Sequence, residues 1–263
     1  MKTLQILGAA AAVSALTALA ALAGFADAQA NVVPANTTPP SVSGTPRDGE
    51  TLTAGEGTWT GTDPITYTYQ WQRCDGNGLN CANLAGAIGR TYAVQTSDVN
   101  NRLRVNVTAK NESGSTTATS QPTAGVTPPE GATRLADGRY SIPASSVRLP
   151  NRLVISGVEF VPSGLRSRDP YTGRFRVTDT RGYIVREAIV LVTGVPLGWI
   201  QAPQEVRTNV DGLATIQIQP TTRLRLVRGG SMVKFIRARK DGDSLLAGIS
   251  TRRLVRVRTA RPS

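Results

Sequence analysis

Residues 67–74 read Tyr67-Thr68-Tyr69-Gln70-Trp71-Gln72-Arg73-Cys74. The alternation has a period of two, so Tyr67, Tyr69 and Trp71 fall on one face of an extended chain and Thr68, Gln70 and Gln72 on the other. Residues 102–110 repeat the pattern. Leu103, Val105, Val107 and Ala109 face one way, and Arg102, Arg104, Asn106, Thr108 and Lys110 face the other. Asn111-Glu112-Ser113-Gly114 then supplies a turn, and residues 115–120 a threonine-rich final strand. Strands with one apolar and one polar face, joined by short turns, predict antiparallel sheets packed face to face.

Downstream, the same reading predicts strands at 153–161, 173–178, 188–193, 214–219, 232–239 and 253–259. Turn signals separate them at Asp211-Gly212, Arg228-Gly229-Gly230 and Asp241-Gly242. No long stretch carries a helical period. The expected fold is all-β, two antiparallel β-sandwich domains in tandem. Residues 31–40 (NVVPANTTPP) read as a linker, 41–125 as the first sandwich, 126–134 as a Pro-rich linker and 135–263 as a second, Arg-rich sandwich.

Residues 1–30 have the pattern of a signal peptide: Lys2, no charge from Leu4 to Phe25, then Ala26-Asp27-Ala28 and Ala28-Gln29-Ala30 as cleavage sites. The apolar stretch is long enough for an uncleaved anchor. Its alanine content and good cleavage sites favour removal. Phe25 stands where a lipidated cysteine would follow Leu22-Ala23-Gly24. The expectation is a secreted or cell-surface protein with no membrane span after cleavage. Cys74 and Cys81, with six residues between them that include Gly76 and Gly78, fit an oxidising compartment and a local disulfide closing a hairpin loop.

The first domain resembles a known family. Ser43-Gly44, Gly49-Glu50-Thr51-Leu52, Gly55-Glu56-Gly57-Thr58-Trp59, the 69–74 string, Cys81, Gly86-Ala87, Tyr92, Asp98 and 103–109 resemble a bacterial Ig-like module of secreted proteins from high-GC Gram-positive bacteria. Asn100 stands where such modules place Gly, a substitution that left-handed backbone tolerates. In the second domain, residues 177–190 and 208–215 resemble an invasin-like or transthyretin-like Ig-related sandwich. Here Ile184 replaces the usual Pro, Glu187 the usual Gly and Asn209 the usual Asp. The resemblance implies two Ig-like domains acting as a non-catalytic spacer or adhesive module.

Composition narrows the chemistry. The 263 residues include no histidine, which removes the usual general base and the commonest metal ligand. A Ser–Lys arrangement would have to use Lys110, Lys234 or Lys240, none in a recognisable motif. Asp241-Gly242-Asp243 reads as a turn between strands rather than a calcium loop, because the full ligand spacing is missing. The sequons at Asn36, Asn106 and Asn111 are assigned no role. No enzyme, cofactor or metal is expected, and a carboxylate-based hydrolase is the disfavoured alternative.

The charge is uneven. Residues 1–132 carry 7 basic and 9 acidic side chains, and residues 133–263 carry 23 and 9. Nearly all the excess is arginine, which GC-rich coding also favours. Arg174 and Arg176, Arg223 and Arg225, Arg237 and Arg239, and Arg256 and Arg258 each flank one apolar residue or alanine, so each pair shares a face if extended. Arg174, Arg176, Arg256 and Arg258 are the candidate polyanion contacts, provided their strands share a sheet. The candidate partners are anionic cell-wall polymer or acidic polysaccharide, or another surface protein. Scarce aromatic residues argue against nucleic acid. The main expectation is an exported structural or adhesive module of the cell envelope or extracellular space.

Overall fold

The computed structural model describes residues 31–201, 204–243 and 248–260. The expected signal peptide, residues 1–30, lies outside the described residues. Among the described residues no helix is long and apolar enough to cross a membrane.

The first domain holds nine strands: β1 (Ala35–Thr38), β2 (Ser41–Ser43), β3 (Thr51–Gly55), β4 (Thr58–Thr60), β5 (Thr66–Cys74), β6 (Ala82–Asn83), β7 (Thr91–Ala93), β8 (Arg102–Asn111) and β9 (Gly114–Thr119). They form a β6-β5-β8-β9 sheet, a β2-β3-β7 sheet and a β1-β4 ribbon. The apolar face read from the alternation is the core face. Trp71, Leu103, Val105 and Val107 meet Leu52, Ala54 and Val94 across the sandwich, with Tyr67 and Tyr69 packed at its margin.

The second domain adds β10 (Thr133–Arg134), β11 (Tyr140–Pro143), β12 (Leu153–Val161), β13 (Gly164–Leu165), β14 (Tyr171–Asp179), β15 (Ile184–Arg186), β16 (Ile189–Val195), β17 (Val206–Arg207), β18 (Leu213–Ile218), β19 (Gly230–Arg239) and β20 (Thr251–Thr259). One sheet runs β10-β11-β15-β14-β12, with β18 on the other side of β14, and the other runs β13-β20-β19-β16-β17. Phe175 and Val177 from the first meet Met232, Ile236, Ala238 and Val257 from the second in the core. All six strands expected from the pattern are present. The described residues are therefore all-β apart from two single 3-10 turns, and form two β-sandwiches in tandem. They depart from a purely antiparallel plan in two short parallel pairings, β11 with β15 and β13 with β20. β13 forms a sheet edge and β11 carries β10 on its far side, and both are too short to read from alternation.

Both stretches read as linkers are built into the fold. Within 31–40, β1 pairs with β4, and Asn111 Nδ2 donates to the Val32 carbonyl at 2.6 Å. The prolines Pro34, Pro39 and Pro40 bracket β1, a strand paired on one side only, where a missing N–H is tolerated. Within 126–134, Val126 is buried in the first core, Thr127 bridges Arg47, and Thr133–Arg134 is a strand.

One turn design recurs. Asp75 Oδ1 accepts from the backbone N–H of Asn77 and Leu79, Asp179 Oδ1 from Arg181 and Tyr183, and Asn209 Oδ1 from Asp211 and Leu213. Only a side-chain carbonyl-type oxygen is needed, which is why Asn209 serves where Asp is usual. Asn100 takes the left-handed conformation expected of it, at φ 68°. Glu187 does so too, at φ 63°, in the position where the resemblance has Gly.

Cys74, the last residue of β5, and Cys81, the residue before β6, are joined as a disulfide with Cα atoms 3.8 Å apart. This is closer than the roughly 4.4–6.8 Å usual for disulfides. The register that pairs Arg73 with Ala82 sets the two cysteines opposite each other. Replacing both with Ala should lower the first domain's stability by about 2.5 kcal/mol, the loop-closure value for so small a ring. Urea unfolding at matched pH measures it, and an unchanged midpoint would remove the disulfide from the account of stability.

Candidate functional site

Two places in the described residues gather polar side chains with evident geometric purpose: the joint between the domains and the arginine faces of the second domain.

The joint is built on the Asp179 turn. Asp179 holds the backbone of residues 181 and 183, and its Oδ2 accepts from Arg181 Nε at 2.8 Å. This fixes Arg181 over the Tyr183 ring, 5.0 Å from its centroid, and points both at the first domain. There Asp48, 5% exposed, accepts from Tyr183 Oη at 2.7 Å and from Thr96 Oγ1 at 2.8 Å, both on Oδ2. Arg181 Nη1 lies 3.5 Å from Asp48 Oδ1. Burial and the Asp48 bond push the Tyr183 hydroxyl pKa well above its usual value. The backbone adds a further tie. Asp48 N–H donates to the Thr127 carbonyl at 2.9 Å, and Thr127 N–H donates to Pro46. The segment leaving the first domain is thus stitched to it before the second domain begins.

Beside the joint lies a recess of about 640 Å³, lined by Arg47, Arg148 and Arg181 but also by Glu50 and Glu130. Arg47 and Glu130 pair at 3.5 Å. Opposite charges cancel here, so the recess has no strong preference for either sign.

The arginine pairs fall differently from the single-sheet arrangement. Arg174 and Arg176 lie on β14 and Arg256 and Arg258 on β20, in different sheets. Phe175 and Val257 both point into the shared core, so the two pairs leave on opposite outer faces of the sandwich. The four guanidinium groups do not gather. Arg174 pairs across strands with Glu159 at 3.5 Å. Arg237 is 4% exposed, and Arg239 pairs with Glu205 at 2.6 Å. Arg223 and Arg225 lie outside any strand, flanking the buried Leu224.

Arg256 and Arg258 instead meet Arg166, a residue the alternation did not single out. The three line a recess of about 530 Å³ with Ser231, Gly164, Gly229 and Gly230. The parallel pairing of Gly164 with Arg258 brings residue 166 there, and a two-residue parallel bridge leaves no periodic signal in the sequence.

The acidic turn residues and the sequon asparagines have partners within the protein. Asp241 pairs with Arg207 at 2.8 Å, and Asp243 Oδ2 accepts from Ile249 N–H. No group of three or more Cys, Asp or Glu side chains placed to hold a metal occurs among the described residues. Each sequon asparagine is engaged by its side chain: Asn36 with Thr38 and Thr58, Asn106 with Thr119, and Asn111 with Val32 and Thr62.

No protein-family model matches the chain. No curated protein matches it. Solved structures similar to it include three titin immunoglobulin domains, I67–I69, at 14% identity and TM-score 0.26, covering 86% of this chain and 65% of that one. The chicken contactin-1 fibronectin domains FN1–FN3 are 14% identical with TM-score 0.35, covering 87% and 68%. Sidekick-1 immunoglobulin domains 1–5 are 12% identical with TM-score 0.24, covering 85% and 59%. The chain spans about 65% of the titin fragment it matches. None of these likenesses bears on function.

Proposed function

We propose that this chain is an exported, non-catalytic structural or adhesive module of the cell envelope or extracellular space, holding its two sandwiches at a set angle. The observation that carries the reading is the joint. A buried carboxylate of one domain is satisfied by a tyrosine and an arginine of the other, across 135 residues of sequence. A flexible tether between domains needs no such contact, whereas a spacer of defined geometry does. The local disulfide and the signal-peptide pattern of residues 1–30 support an oxidising destination.

The test expresses the chain with its leader and takes the exported fraction. Its mass should correspond to a start at about residue 29 or 31, after either Ala-x-Ala site. Small-angle scattering of that material should fit one interdomain arrangement. Asp48→Ala should weaken the joint by about 2–3 kcal/mol, the cost of orphaning buried partners of a charge. It should thereby broaden the distance distribution while each sandwich stays folded. Retention of the leader would overturn export, and an unchanged distribution in Asp48→Ala would overturn the fixed joint.

A further inference from the structure

We propose that the recess formed by Arg166, Arg256 and Arg258 binds one oxyanion unit, phosphate or carboxylate, of an extended anionic polymer. This goes beyond the structural reading above and does not depend on it.

These three residues share one concavity that has no acidic side chain in its lining. Arg73, Arg139, Arg174, Arg181, Arg207 and Arg239 each lie within 3.5 Å of a carboxylate oxygen. Arg166, Arg256 and Arg258 have no ion-pair or hydrogen-bond partner among the described residues, and no acidic side chain lines their recess. Three uncompensated guanidinium groups in one concavity repel one another, and an anion seated between them removes that cost.

The backbone sets the spacing. Arg256 and Arg258 lie two residues apart on the outer face of β20, hence about 6.6–6.8 Å apart along the strand. Ser231 stands opposite Arg258 in register on β19 and adds a hydroxyl to the lining of the same recess. Of the glycines that line the recess, Gly230 is glycine for a steric reason. A Cβ on Gly230 would come within 2.5 Å of Thr259 Oγ1 and of Val227 Cγ2. Each guanidinium presents a planar fork that matches phosphate or carboxylate oxygens in pairs.

The three arginines are exposed, so the recess accepts a unit of a longer chain rather than enclosing a small molecule. On the same outer face, Val233 and Phe235 are half-buried and Leu254 is 66% exposed. They extend the surface with apolar ground for the carbon skeleton between anionic groups.

The experiment titrates the full mature chain with polyphosphate and, separately, with polygalacturonate at low salt. Binding to at least one polymer is expected. Its dissociation constant should rise about tenfold or more in Arg166→Ala/Arg256→Ala/Arg258→Ala and less than about threefold in the charge-matched Arg134→Ala/Arg148→Ala/Arg174→Ala. The polymer that shows this contrast identifies the anion as phosphate or carboxylate. Equal weakening in both triple variants would reduce the effect to net charge and overturn the site. So would unchanged affinity in the recess variant, or no binding of either polymer by the parent chain.

Discussion

Replacing Lys234 with Met should stabilise the second domain by about 3–5 kcal/mol at neutral pH. Lys234 sits on the core face of β19 between Met232 and Ile236 and is fully buried. Its Nζ has no hydrogen-bond partner among the described residues and lies 4.9 Å from the centroid of the Tyr171 ring, whose own hydroxyl is also unpartnered. Burial pushes the Lys234 pKa from 10.5 down to about 7. The unfolded chain therefore holds this proton up to about pH 10.5, whereas the folded chain releases it near 7. Across that window the unfolded state binds more protons, so stability rises with pH, and below pH 7 the full penalty persists. Tyr171 acts in the opposite direction. Burial raises its pKa, so above about pH 10 the unfolded tyrosine ionises first and stability falls again. Hydrogen exchange of β19 and β16 amides in the full chain reads the domain's stability directly. Protection in the parent should climb from pH 7 to 10 after correction for intrinsic exchange, and the Met variant should lose that slope. A Met variant no more stable than the parent would show that Lys234 has polar company in solution.

Trp71→Ala should cost the first domain about 3–5 kcal/mol, as large core truncations do. The indole is fully buried and stacks on Tyr92 with centroids 5.5 Å apart. Its Nε1 donates to the Gly89 carbonyl at 2.9 Å, so truncation leaves both a cavity and an unpaired acceptor. Tyr92 is placed in turn by Asp98, which accepts from its hydroxyl at 2.8 Å and from Arg73 Nε at 2.7 Å. Trp71→Phe should cost less, because the ring volume is largely kept. Chemical unfolding of the oxidised chain measures both variants. Equal losses would mean that the hydrogen bond and the ring size contribute nothing separable.

Much of the local structure was legible because a strand's side-chain period is a property of the strand alone. Tyr67, Tyr69 and Trp71 had to share a face, and so did Leu103, Val105 and Val107. Their apolar character names that face as the buried one. Lys234 shows where this runs out. In residues 232–239 one face carries Met, Lys, Ile and Ala and the other Val, Phe, Arg and Arg. Each face mixes apolar and cationic groups, so the pattern alone does not choose. The surrounding core chooses, and it buries the lysine.

By itself the sequence determined the fold class, the positions of the major strands, the local disulfide and the concentration of positive charge in the second half. These depend on residues close together in the chain. The tertiary structure alone decided that Arg174 and Arg176 part company with Arg256 and Arg258, that Arg166 joins the latter, and that Asp48 meets Tyr183. Period-two alternation says which way a side chain faces but not which strand lies beside it. Sheet membership comes from pairing between distant segments, where core complementarity offsets the entropy of closing long loops. The stretches read as linkers follow the same rule. Prolines mark 31–40 as poor strand interior, yet one available edge in the folded domain was enough to turn Ala35–Thr38 into a strand.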